Sequence, residues 1–169
     1  MLSSPPTELE GLYGQGYRPC TTPNPQVTLV LSTEREIDLY ELEQLCDAVG
    51  WSRRPLRRVR KALENSLLVV GLWRHDPRLP RLVGFARCTG DGVIEATVWD
   101  VAVHPLYQGV GLGKQLMTYV IDLLRAQQLE RVCLFADPGV VEFYSAQGWE
   151  ASPSRWLLLS DDATPVPAP

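Results

Sequence analysis

The residues with the plainest chemical meaning are Gln108-Gly109-Val110-Gly111-Leu112-Gly113-Lys114, where three alternating glycines open an amphipathic helical pattern after an extended apolar run. A helix start with little side-chain cover offers several unpaired N–H groups to one anion, and glycine lets phosphate oxygens come close. Gln108 and Lys114 can add a neutral donor and a point charge at the rim. The chemistry this points to is the binding of a phosphate ester, chiefly by main-chain amides.

Two familiar phosphate loops fit less well. A Walker loop needs a Ser or Thr after its lysine to reach a metal ion, and here Gln115 follows Lys114 while position 108 is not glycine. The dinucleotide fingerprint spaces its glycines G-x-G-x-x-G after a first βαβ strand, whereas Gly109, Gly111 and Gly113 are evenly spaced and follow a meander. A plain strand-to-helix turn would also use glycine. The run Trp99-Asp100-Val101-Ala102-Val103-His104-Pro105 and the aromatic Tyr107 ahead of the glycines favour the anion-binding reading.

With those residues in place, the sequence resembles the GCN5-related N-acetyltransferase (GNAT) superfamily, whose acetyl-CoA signature is Gln/Arg-x-x-Gly-x-Gly/Ala after a splayed strand. The resemblance covers roughly residues 27–159 and implies an α/β fold with a mixed central sheet, antiparallel in its N-terminal half and βαβ in its C-terminal half. Trp99-Asp100-Val101, Tyr107-Gln108-Gly109, Gly111-Leu112-Gly113-Lys114, Leu134-Phe135-Ala136-Asp137 and Val141-Glu142-Phe143-Tyr144 are more narrowly similar to the plant plastid and cyanobacterial branch of serotonin, or arylalkylamine, N-acetyltransferases. Plastid relatives are also associated with protein lysine acetylation, so both acceptor classes stay open.

The resemblance implies direct transfer from acetyl-CoA to a primary amine, with Asp100 as general base and Tyr144 as general acid. An alkyl ammonium with a pKa of about 10 must lose a proton first. Strand alternation puts Asp100 on the face of Val98 and Ala102, unless a bulge resets the parity, and so among apolar neighbours that would raise its basicity. Tyr144 shares a helical stripe with Val140, aimed at the core side. Glu95 and His104 are competing bases.

The pantetheine arm is expected along Val101, Ala102 and Val103, with an N–H of that segment as oxyanion donor. The diphosphate is expected at Gln108, Gly109, Val110, Gly111, Leu112, Gly113 and Lys114, and Asp137 and Phe143 complete the expected CoA contacts. The resemblance places the acceptor pocket near the first two helices, the loop at Val49-Gly50-Trp51-Ser52 and the last strands, with Trp51, Trp149 and Trp156 as candidate aromatic walls. The basic run Arg53, Arg54, Arg57, Arg58, Arg60 and Lys61 reads as a solvated helix face or as a site for the CoA 3′-phosphate.

Several elements must position these groups. A short strand over 27–31 precedes a helix capped by Ser32 or Thr33 and ended by Gly50; a second helix opens at Pro55. Strands over 66–73, 81–88 and 93–103, separated by His75-Asp76-Pro77 and Thr89-Gly90-Asp91-Gly92, read as an antiparallel meander. The glycine-led helix, a strand over 131–136, a short helix over 139–147 with Asp137 as N-cap, and a closing strand over 155–159 follow. Residues 1–26 and 160–169, rich in Pro and small polar residues, read as a flexible arm and a disordered tail.

At 169 residues with 45% hydrophobic content, one folded domain is expected, and the resemblance makes it an acetyltransferase domain over 27–159. A net charge of −4 argues against a general nucleic-acid binder and suits a cationic acceptor, small or on a protein. Cys20, Cys46, Cys88 and Cys133 are scattered without a CxxC pair, which reads as reduced thiols and no metal. No apolar run approaches the roughly 20 residues of a membrane span, and the N-terminus lacks a secretory signal pattern. A cytoplasmic location without membrane partners is expected, and the resemblance allows a homodimer. A non-catalytic acetyl-CoA sensor is the rival from another class, and it would need neither Asp100 nor Tyr144.

Overall fold

The computed structural model describes residues 6–154. The chain divides into two compact units, one ending at Phe135 and one beginning at Ala136. The strand expected over 155–159, with Trp156, and the tail over 160–169 lie outside the described residues.

The first unit opens with α1 (Pro6–Tyr13) and a two-residue strand β1 (Arg18–Pro19), followed by β2 (Leu29–Ser32), α2 (Leu39–Ala48) and α3 (Leu56–Glu64). Then come β3 (Leu68–Arg74), β4 (Arg81–Gly90), β5 (Glu95–Val103), a 3₁₀ turn at Pro105–Tyr107, α4 (Leu112–Ala126) and β6 (Arg131–Leu134). Among the described residues six strands form one sheet in chain order, antiparallel from β1 to β5, with β6 parallel to β5. The expected meander and strand-helix-strand crossover are both present. Two hairpin turns suffice for β3 to β5, whereas a parallel β6 needs the length of α4 to return.

The segment read as an arm without periodicity carries α1 and β1. Its composition hides a tertiary anchor: Leu9 and Tyr13 are buried with Val30, and Arg18 and Pro19 pair with Leu31 and Val30. The same segment grips α4, since Arg18 pairs with Asp122 at 2.8 Å and Tyr119 donates to the Gly16 carbonyl at 2.8 Å.

The cap of α2 also differs from expectation. Ser32 stays in β2, where its hydroxyl donates to the Tyr13 carbonyl, and the Asp38 carboxylate caps α2 by accepting from the amides of Tyr40 and Glu41. Pro55 sits at the N-cap position of α3 with fixed φ, as its ring geometry favours.

Packing follows the apolar stripes. Leu42 and Leu45 of α2 and Leu63 of α3 meet Val69, Leu82, Phe85 and Ala102 of the sheet in one cluster. Leu112, Leu116, Met117, Val120 and Leu124 bury one stripe of α4, which contacts β3, β4 and β5. Burial of each such side chain contributes about 1.5–3 kcal/mol against leaving it in water.

Arg35 ties the end of α3 to the start of β3, its guanidinium donating to the carbonyls of Leu63 (3.3 Å), Ser66 (2.8 Å) and Leu67 (2.8 Å). Charged hydrogen bonds of this kind are worth about 1.5–3 kcal/mol each when sheltered, and less at a partly exposed site. Arg35→Ala is therefore expected to cost about 1–2 kcal/mol, read as a lower urea midpoint with an unchanged slope. An unmoved midpoint would contradict this role.

The second unit holds a 3₁₀ turn at Pro138–Val140 followed by α5 (Val141–Ser145). The helix expected over 139–147 is thus shorter, and Asp137, at the N-cap position, makes no side-chain capping bond. Glycine at 139 and proline at 138 favour the tighter turn over a full helical start.

Candidate active site

The sheet opens where the glycine motif begins. β6 pairs with β5 only from Glu95↔Arg131 to Val98↔Leu134, so Trp99 to Val103 run on without a β6 neighbour. The rings of Trp99 and Phe135 stack at 5.3 Å where the strands part. His104 N donates to Val83 O at 2.8 Å across the β4 side, and alternation then turns the amide and carbonyl of Val103 toward the open edge. Val101, Ala102 and Val103 therefore lie where an extended amide-bearing chain can add as a further strand.

Beyond this edge, the 3₁₀ turn leads into the glycine loop. Gly109 and Gly111 have φ of +77° and +83°, and Gly111 is the N-cap of α4 with no side-chain cap. A Cβ built on either glycine meets nothing within 4 Å. The first intrahelical bond runs from Gln115 N to Gly111 O, so helix geometry leaves the amides of Leu112, Gly113 and Lys114 without an intrahelical acceptor. Lys114 and Val110 are exposed beside them. Gln108 does a different job from the expected rim donor: its Nε2 donates to the Val103 carbonyl at 2.8 Å, bracing the loop against the strand. The open space over two left-handed glycines, the bare amides and the free strand edge fit a pantetheine diphosphate.

Asp100 departs from the sequence reading. Phe85 faces Ala102 and Arg87 faces Trp99, so Asp100 and Val101 together oppose Ala86 in a bulge, and Asp100 takes φ +52°. Its carboxylate does not sit among apolar neighbours. Oδ2 accepts from Arg87 Nε at 2.5 Å and Oδ1 from Arg54 Nη1 at 3.4 Å. The physical reason is the bulge itself, which re-aims the side chain toward the guanidinium of Arg87 on the neighbouring strand.

Asp100, Arg87 and Phe85 line a cavity of about 220 Å³ whose other walls come from α2, α3 and the loop between them. Leu42, Cys46, Trp51, Val59 and Leu63 give it an apolar lining. Trp51, on the α2–α3 loop, lines the same cavity as Asp100. Burial and then the neighbouring Asp100 push the Cys46 thiol up, and burial pushes those of Cys20 and Cys88 up to about 11 and about 12. None of these three is poised as a thiolate nucleophile.

The basic run is divided by its partners. Arg53 is tied to Asp47 at 2.5 Å and Glu43 at 3.5 Å, Arg54 to Asp100, and Arg58 lines the cavity. Of the competing bases, Glu95 is exposed at the start of β5, and His104 Nδ1 accepts from Leu106 N at 3.2 Å as the cap of the 3₁₀ turn. Sequence reading missed Arg87 and Arg54 as partners of Asp100; a cation on the strand next to a central acidic residue is the signal available for Arg87.

In the second unit, Tyr144 is half-buried, its ring edge-on to Phe143 at 5.0 Å and to Trp149 at 6.3 Å. Burial raises its phenol above the ordinary value. The expected stripe with Val140 does not form, because Val140 lies in the 3₁₀ turn ahead of α5 and is exposed. Trp149 is half-buried, while Asp137 and Phe143 are exposed.

Residues 37–149 match the model of the Acetyltransferase (GNAT) family. An uncharacterized ycf52-like N-acetyltransferase of Prochlorococcus marinus is 62% identical over 142 residues, covering 84% of this chain and 79% of that protein. A histone acetyltransferase of Glycine max is 44% identical over 134 residues (74% of this chain, 57% of that protein). Serotonin N-acetyltransferase 2 of Oryza sativa is 40% identical over 120 residues (69% and 58%). A GNAT family acetyltransferase from Streptococcus pneumoniae superposes with a TM-score of 0.64 at 25% identity, covering 78% of this chain and 99% of that one.

Proposed function

From the premise that the chain belongs to the GNAT acetyltransferase family and is an N-acetyltransferase, we propose that its acceptor is an arylalkylamine such as tryptamine or serotonin. The observation that carries this reading is the cavity in which an apolar lining with Trp51 and Phe85 ends at the carboxylate of Asp100. An aryl ring gains by leaving water along those walls, while its ammonium gains only where an anion waits. Similarity to the rice serotonin N-acetyltransferase supports the same acceptor class.

Acetyl-CoA supplies the acetyl group as a thioester when bound. In the proposed site, the amides of Leu112, Gly113 and Lys114 hold the diphosphate, and the open edge at Val101, Ala102 and Val103 holds the pantetheine arm. The Val103 amide is aimed toward that edge and is the proposed donor to the developing oxyanion. Asp100 orients the acceptor's ammonium and accepts one proton through Oδ1, leaving a neutral nitrogen to attack, and the second nitrogen proton, lost as the amide forms, restores the proton that the departing thiolate takes.

Tyr144 is the proposed proton donor to the departing thiolate. Burial pushes its phenol up, so it stays protonated through neutral pH, and loss of the donor is expected only above the ordinary tyrosine value of about 10. Tyr144→Phe is expected to lower kcat at least tenfold with acetyl-CoA affinity retained. Equal kcat in the two proteins, with chemistry rate-limiting, would reject the role.

A second reading, acetylation of protein lysines, is favoured by the similarity to the soybean histone acetyltransferase. The two separate by kcat/KM on a panel of arylalkylamines and lysine peptides, with product identified by mass spectrometry. Preference for tryptamine or serotonin supports the first reading; preference for peptides overturns it. A homodimer and a cytoplasmic location are the arrangements we propose for it.

A further inference from the structure

Asp100 is held by two arginines of unequal standing. Arg87 lies on β4 with a side chain 19% exposed and binds Oδ2 at 2.5 Å, whereas Arg54 stands on the α2–α3 loop, 63% exposed, and reaches Oδ1 at 3.4 Å. Arg87 is built into the sheet. Arg54 is a long side chain held in place at one end of a weak contact.

The charges around the cavity make that difference consequential. Four arginines, Arg53, Arg54, Arg58 and Arg87, are among the residues that line it, with Glu43 and Asp100 as the acidic ones. Arg53 occupies Glu43 together with Asp47. Asp100 is then the carboxylate left to receive a cation, and both its oxygens are already engaged. An ammonium arriving with Arg54 still in place would bring a third positive charge onto one carboxylate.

Resting on the reading of this cavity as the acceptor pocket, we infer that Arg54 is a resident stand-in for the acceptor's ammonium, displaced from Asp100 Oδ1 when a cationic acceptor binds while Arg87 keeps Oδ2. The exchange replaces one ion pair with another at nearly constant charge. Arg54 regains rotamer freedom in solvent, which offsets part of the acceptor's own ordering. An acceptor without a positive charge cannot take over the carboxylate, and leaves the Arg54 contact in place.

The test is calorimetric binding of tryptamine, and of its neutral alcohol analogue tryptophol, to CoA-saturated protein, where no transfer occurs. An exposed ion pair is worth up to roughly 1 kcal/mol, so removing the competitor by Arg54→Gln is expected to tighten tryptamine about two- to fivefold without tightening tryptophol. Arg54→Lys keeps the competing charge and is expected to retain the wild-type ratio of the two affinities. Weaker or unchanged tryptamine binding in Arg54→Gln, equal tightening of both ligands, or no tryptamine binding to either protein would overturn the displacement. Wild-type acetylation of tryptamine together with one of those outcomes sinks the displacement alone. Selective tightening without acetyl transfer by either protein sinks the catalytic reading alone.

Discussion

Asp100→Asn is expected to lower kcat/KM about a hundredfold at neutral pH, the scale of a lost general base. Much of that loss is expected to return as pH rises. An acceptor amine with a pKa near 10 supplies its own free base at alkaline pH, so the variant then needs no proton acceptor. The substitution isolates chemistry from fold. Asp100 holds φ +52°, a conformation asparagine adopts at least as readily as aspartate, and an amide oxygen can still accept from Arg87 Nε. The pH profile of kcat/KM, with circular dichroism as a folding control, checks this. A profile parallel to that of the parent would remove Asp100 from the role of base and leave it as a positioning group.

Gly111→Val is expected to weaken CoA binding by about a hundredfold or more. Two effects combine. A β-branched residue in the left-handed conformation costs roughly 1–2 kcal/mol, so the loop is driven away from φ +83°. The new side chain also enters the open space above the loop, where an anion must approach the amides of Leu112 and Gly113. Each charge-assisted hydrogen bond lost costs about 1.5–3 kcal/mol, and two amount to at least a hundredfold. Gly111→Ala carries much of the backbone strain with less obstruction and is expected to fall between parent and Val. Calorimetry with CoA reads the series; three equal affinities would mean that the loop does not hold the diphosphate.

What the sequence makes legible here is short-range. The glycine spacing, the helical stripe of α4 and the turn residues between β3, β4 and β5 each announce themselves within a few residues, so the meander, the crossover and the glycine loop that opens α4 are readable from local pattern. Asp100 could be singled out but not understood. Its side-chain direction depends on one extra residue in β5, fixed by pairing with β4, and its partners Arg87 and Arg54 lie 13 and 46 positions away. The apolar surroundings inferred from strict alternation fail for that reason. Arg54 shows the same limit from the other side: in sequence it belongs to a basic run, and only the fold of the α2–α3 loop brings it to a carboxylate.

The N-terminal segment was obscured by composition. Prolines and glycines interrupt it often enough to erase periodicity, yet Leu9 and Tyr13 find a buried niche against Val30. Gln115, near the start of α4, exchanges hydrogen bonds with the backbone of Thr21, accepting from its amide at 2.8 Å and donating to its carbonyl at 2.9 Å. The helix whose first turn carries the bare amides is therefore braced from its outer side by a segment that reads as irregular.

The site itself is tested most directly by residue-resolved amide hydrogen exchange on the wild-type protein with and without saturating CoA. Slowed exchange is expected at Val103 and at the amides from Gly109 to Lys114, where we propose that the pantetheine arm and the diphosphate bind. Bound CoA that leaves those amides exchanging at their unliganded rates would contradict the account.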